Sequence, residues 1–128
     1  MRSLSVLTLA LILTMTAGCV SLPNEQELQS LEYGPYPENY EAIVKTYYEM
    51  LLKDPSSVQY RSITRPYQSY YGNRLEGVHH GYKTCVTLNA KNSYGAYVGF
   101  KTDVLLIRNG AVVHYVPDGA YYGNFISC

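Results

Sequence analysis

Tryptophan is missing from this chain and phenylalanine is scarce, with 2 Phe and no Trp in 128 residues. Any large ring in the core must therefore be tyrosine. Excess charge of one sign is missing too: Lys plus Arg total 10, Asp plus Glu total 10, and the formal net charge is +0. A balanced chain has no surplus of cations to hold a phosphate backbone, which argues against a nucleic-acid partner. Beyond the first twenty residues no apolar run is long enough to cross a bilayer as a helix. There is no G-x-S-x-G elbow, no glycine-rich phosphate loop and no C-x-x-C pair. The acidic residues are scattered, so no two of them can be assigned as a glycosidase pair. These absences leave no recognisable catalytic set and imply no cofactor.

What is present is enough for one folded domain. Hydrophobic residues make up 47% of the chain and charged ones 16%, a composition that builds a core rather than a disordered tail. Tyrosine dominates, with 15 copies. Each supplies a rigid ring and a hydroxyl, useful in a half-buried position or on a recognition surface.

The chain opens on a short basic start, Met1-Arg2-Ser3, followed by an apolar stretch over 4–15 and then Thr16-Ala17-Gly18-Cys19. This pattern predicts a secretory signal over 1–18. Its small-small-Cys ending resembles the lipobox of bacterial lipoproteins, although Thr16 stands where Leu is commoner. The resemblance implies a diacylglyceryl group on the Cys19 thiol, cleavage before Cys19 and acylation of the new amine. Val20 follows where Asp resembles an inner-membrane retention signal. The implied location is the outer membrane, lipid-anchored, on the periplasmic face. An ordinary cleaved signal with a chance cysteine is the plainer alternative.

Residues 19–36 carry Pro23, Gly34 and Pro35 with weak periodicity and read as a flexible tether, with room for a short helix over 25–31. The domain proper is expected over 37–128. Tyr40, Ile43, Val44, Tyr47, Tyr48, Leu51 and Leu52 fall on one helical stripe. Pro37 suits a first turn, and Pro55 sets the stop near Lys53. Such a stripe is expected to be core.

After Ser57 the period becomes two. Strands are expected around 58–63, 82–89, 96–107 and 111–116, with Pro66 ending the first. Asn109-Gly110 predicts a tight hairpin. The segment 67–81 is polar and contains glycine, so it reads as a long loop carrying Tyr67, Tyr70 and Tyr71. Tyr121 and Tyr122 likewise fall in an expected loop. The predicted fold is α+β: one amphipathic helix on a small antiparallel sheet of about four strands.

With Cys19 used by lipid, Cys85 and Cys128 remain as an even pair in an oxidising compartment. A disulfide between them is expected to hold the segment 118–128, with Tyr121, Tyr122, Phe125 and Ile126, against the sheet. Two free thiols are the alternative. His79, His80 and His114 predict no metal site, because adjacent side chains on a strand point to opposite faces.

The most distinctive stretch runs Cys85-Val86-Thr87-Leu88-Asn89-Ala90-Lys91-Asn92-Ser93-Tyr94-Gly95-Ala96-Tyr97-Val98-Gly99. It resembles a C-V-x-x-N-A-K-N-x-x-G-x-Y-x-G pattern of small exported bacterial proteins to which no activity is attached. Asn89, Lys91 and Asn92 are candidate ligand-binding residues, as are Tyr67, Tyr70 and Tyr71. The competing reading of Asn89 and Asn92 is turn architecture. Together these features predict a membrane-anchored binding or structural module whose partner is an envelope protein or wall glycan. An enzyme acting on envelope polymers, or an inhibitor that blocks a hydrolase, is the alternative.

Overall fold

The computed structural model describes residues 23–128. The expected signal peptide and the lipidation site Cys19 lie outside them. The first element, α1 (Glu25–Gln29), is set by a capping box: the Asn24 side chain accepts from the Glu27 amide, and the Glu27 carboxylate accepts from the Asn24 amide. None of its residues is buried. The following stretch does not behave as a free tether. Tyr33 and Tyr36 pack against the core, and the Gly34 carbonyl accepts a bond from the Tyr82 hydroxyl at 3.2 Å. The expected flexible segment 19–36 is thus docked over its last part.

The apolar stripe folds as α2 (Tyr40–Leu51). The helix starts later than the Pro37 expectation: the Tyr40 amide bonds to the Pro37 carbonyl, and the regular run begins at Tyr40. Val44 and Tyr48 are buried, while Leu51 at the last turn is 46% exposed and is no core residue. Leu52 is already extended, and Pro55 opens a single 3₁₀ turn, Pro55–Ser57.

The main sheet has five antiparallel strands: β1 (Gln59–Ile63), β2 (Tyr67–Asn73), β3 (Gly77–Asn89), β4 (Lys101–Arg108) and β5 (Ala111–Val116). At 13 residues, β3 is long enough to serve two neighbours on one side. Its end pairs with β1 and its start with β2, while β4 covers its other side. Pro66 interrupts the edge between β1 and β2 because it has no amide to donate. Thr64 bridges the break: its hydroxyl accepts from the Cys85 amide at 2.9 Å, and its amide donates to the Cys85 carbonyl at 3.0 Å.

The extra strand is β2. Residues 67–81, expected as a loop, form a hairpin in which Tyr67 pairs with Lys83 and Asn73 with Gly77. The third expected strand is shorter than 96–107, since regular pairing starts at Lys101. Asn109 (φ 52°) and Gly110 (φ 78°) both take left-handed backbone, as a type I′ hairpin requires.

The two sheet faces bury different things. On one, Val44 and Tyr48 of α2 meet Tyr82, Val86, Leu88, Leu105 and Ile107. The hydroxyl that Tyr48 carries into this core donates to the fully buried Asp103 at 2.7 Å. Asp103 also accepts from Tyr115 at 3.2 Å and from the Asp118 amide at 2.9 Å, so its charge is met on several sides. Burial first, and then Asp103, hold the Tyr48 hydroxyl protonated far above its ordinary range.

On the other face, Cys85, Val104 and Val116 form a smaller cluster with Tyr71, Tyr121 and Ile126. Here the C-terminal segment closes over the sheet as a short hairpin, β6 (Ala120–Tyr121) and β7 (Asn124–Phe125). Cys85 and Cys128 are bonded, with Cα atoms 5.9 Å apart. Of the four large side chains expected to dock there, Tyr121 and Ile126 do, whereas Tyr122 and Phe125 stay exposed.

Candidate functional site

The residues singled out in the sequence separate into two regions at opposite ends of β3. Asn89 and Asn92 lie at the base of the loop that joins β3 to β4. The Asn89 side chain accepts from the Gly99 amide at 3.0 Å, and the Asn92 side chain accepts from the amides of Tyr94 and Ala96. Both carboxamide oxygens are used to shape the loop. The Lys91 amide donates to the Ser57 hydroxyl, and its ammonium lies 5.5 Å from the Tyr97 ring centre.

The loop these groups hold is exposed along its whole length, residues 91–100. Tyr94 is 95% and Val98 64% exposed, with Tyr97 and Phe100 beside them. Two further bonds tie the loop to the body: Tyr97 hydroxyl to the Ser57 carbonyl at 2.8 Å, and Lys53 ammonium to the Ser93 hydroxyl at 3.0 Å. The Arg61 guanidinium stacks 3.7 Å from the Phe100 ring centre. The result is an aromatic projection rimmed by Lys53, Arg61 and Lys91. Sequence reasoning found the asparagines of this loop but not the exposed rings they support.

The three tyrosines expected on a common loop are divided by a strand. Tyr67 lies against the Lys83 ammonium, 4.9 Å from ring centre to nitrogen. Tyr70 faces the other way, beside Glu25, Leu28 and Gln29 of α1 across an open pocket of about 350 Å³. Tyr71 enters a cluster that the sequence did not disclose.

That cluster joins three segments. Glu76 sits in the turn between β2 and β3, His79 on β3 and His114 on β5. The His79 Nε2 donates to the Glu76 carboxylate at 3.1 Å, and the two imidazoles stack with ring centres 3.7 Å apart and an interplanar angle of 20°. The Tyr71 hydroxyl lies 2.7 Å from His114 Nδ1. Tyr121 and Tyr122 donate to the two Glu76 oxygens at 2.9 Å and 2.6 Å, and Asn73 donates to the Tyr121 hydroxyl at 3.1 Å. Hydrogen bonds from Tyr122, Tyr121 and His79 hold the Glu76 carboxyl below its usual pKa. Burial, and then the neighbouring His79, lower His114. Beside these groups an open pocket of about 270 Å³ is lined by Glu76, His114, Pro117, Tyr121 and Tyr122.

The strand argument about His79 and His80 is correct as far as it goes. His80 takes other partners: its Nε2 lies 3.0 Å from the Glu32 carbonyl and 2.8 Å from the Arg108 guanidinium. What it omitted is that β3 extends beyond its pairing with β4, which stops at Tyr82–Ile107, and that His79 in this extension reaches His114 of β5. No local signal places His114 on His79.

No family model matches the chain, and no curated protein or solved structure matches it.

Proposed function

We propose that the chain is an envelope lipoprotein whose domain docks onto an envelope protein through the loop 91–100. In this reading Cys19 carries the lipid and holds the domain at the periplasmic face of the outer membrane. Three acyl chains on one residue give durable anchoring where one gives only a marginal hold. The observation that carries the docking role is the state of the loop. Its rings are exposed, yet Asn89, Asn92, Lys53 and Ser57 hold its backbone and edges in place. A rigid projection loses little conformational freedom on binding, which is how a small surface gains affinity. Exposed Tyr and Phe beside Arg61 match the residue types enriched in protein interfaces. The basic rim favours a partner whose contact surface is acidic at its edge.

Photo-crosslinking in intact cells tests this. Benzoylphenylalanine in place of Tyr94 or Val98 is expected to give one discrete protein adduct. The same group at Glu41, on the exposed side of α2, is expected to give none. Absence of an adduct at Tyr94 and Val98, or the same adducts from all three positions, overturns the docking role. Adducts made with wall fragments instead transfer the role to glycan binding.

A further inference from the structure

We propose that Glu76, His79 and His114 form a binding site for a divalent transition-metal ion of the imidazole-preferring class, Zn²⁺ or Cu²⁺. This does not rest on the docking role, since the cluster and the loop 91–100 lie at opposite ends of β3.

The geometry comes first. One carboxylate oxygen and one nitrogen from each imidazole all lie within 4.8 Å of one another. A tetrahedral ion with bonds of about 2.0–2.1 Å holds its ligands roughly 3.4 Å apart. The widest pair therefore has to close by at most roughly 1.4 Å. Glu76 can supply that movement, because it sits on an exposed turn between two strands. Its backbone is aimed by Asn73, whose side-chain oxygen accepts from the Leu75 and Glu76 amides at 2.8 Å and 2.9 Å.

The surroundings resemble the outer shell of a metal centre. A ligating imidazole usually engages its second nitrogen with a neighbouring polar group, which fixes the ring and its tautomer. Tyr71 does this for His114 at Nδ1, leaving Nε2 for an ion. The ligating carboxylate is likewise held, by Tyr121 and Tyr122. Two imidazoles and one carboxylate suit zinc or copper, whereas calcium and magnesium take all-oxygen sets. Three protein ligands leave at least one position open toward the adjoining pocket.

A plain Glu76–His79 ion pair accounts for one contact in this group. It does not account for the second imidazole, which lies against the first with ring centres 3.7 Å apart. An ion shared by both rings and the carboxylate requires one imidazole to turn out of the stack, because ring-nitrogen lone pairs lie in the ring planes and near-parallel rings do not aim at one point.

The test uses the full-length oxidised chain in detergent micelles. Zn²⁺ alone is titrated in competition with a chromophoric chelator. One ion per chain is expected. His79→Gln, His114→Gln and Glu76→Gln should each weaken binding by more than the roughly 10- to 100-fold that loss of an outer partner costs. His80→Gln changes the adjacent imidazole, which faces away, and should leave binding unchanged. Glu76 is on an exposed turn, so its variant keeps the test valid if His114→Gln fails to fold. With Cu²⁺ as the probe, electron paramagnetic resonance should show two coupled imidazole nitrogens in the parent and one in His79→Gln. Lack of saturable binding of either ion overturns the proposal. So does binding that survives both Glu76→Gln and His79→Gln, or that His80→Gln weakens equally.

Discussion

Single side chains decide most of what is unusual here. Asp103 is a buried carboxylate tolerated because Tyr48, Tyr115 and a backbone amide bond to it. Tyr48→Phe keeps the packing and removes the shortest of those bonds. The expected cost is about 1–3 kcal/mol, read from the urea midpoint. Tyr115→Phe removes a longer bond and should cost less. The histidines make stability depend on pH. His80, lowered by burial and then by Arg108, and His114, lowered by burial and then by His79, both bind a proton more weakly when folded than when unfolded. Their contribution is complete above the ordinary value of 6.5 and is lost as pH falls through it toward the lower folded-state values. The melting temperature should therefore drop between about pH 7.5 and about pH 5.5, and His80→Gln should make that drop smaller. An unchanged slope in His80→Gln would show that the titration lies elsewhere.

At the scale of elements, legibility followed burial on one face. The α2 stripe could be read because one side of the helix meets the sheet and the other meets water. Its end could not, since Leu51 continues the period but is exposed at the last turn. Tyr48→Ala is accordingly expected to cost about 3–5 kcal/mol and Leu51→Ala under about 1 kcal/mol, measured by chemical unfolding. Equal small losses would place the stripe outside the core. The Asn109-Gly110 hairpin was legible because left-handed backbone at two successive positions selects those residues. By contrast β2 was not. As an edge strand with most side chains outside the core, it shows no apolar alternation, and its glycine and polar residues read as loop. The second part of β3, over 82–89, was found, but its first residues were hidden in the same expected loop. That hid the metal-type cluster as well, since a site assembled from a turn, a strand start and a distant strand leaves no spacing in the sequence.

For the whole molecule, cysteine parity was the most informative signal. It predicted the Cys85–Cys128 bond, which fastens the C-terminal hairpin and so brings Tyr121 and Tyr122 to Glu76. Closing a loop of 43 residues restrains the unfolded chain by about 4 kcal/mol. Cys128→Ser is expected to lose much of that and to loosen the tyrosines around Glu76. Intact mass after alkylation, with and without reductant, checks the bond: two reactive thiols in the unreduced, denatured chain would refute it. The anchor is tested separately. Cys19→Ser should abolish palmitate incorporation and release the chain from the outer-membrane fraction. Retention there would refute the lipoprotein proposal without touching the fold.

If the chain is exported as proposed, the bond between Cys85 and Cys128 would also set an order of events during that export. Its second sulfur follows the first by 43 residues, so Cys85 would cross the membrane first and wait while those residues are still being delivered. During that interval the other thiol in the sequence able to capture it is Cys19. Acylation of Cys19 before translocation ends would remove this competitor and leave a single partner. Maturation at the membrane would then act as a proofreading step for oxidative folding, and a Cys19 that escapes acylation would surface as a mispaired species on a non-reducing gel.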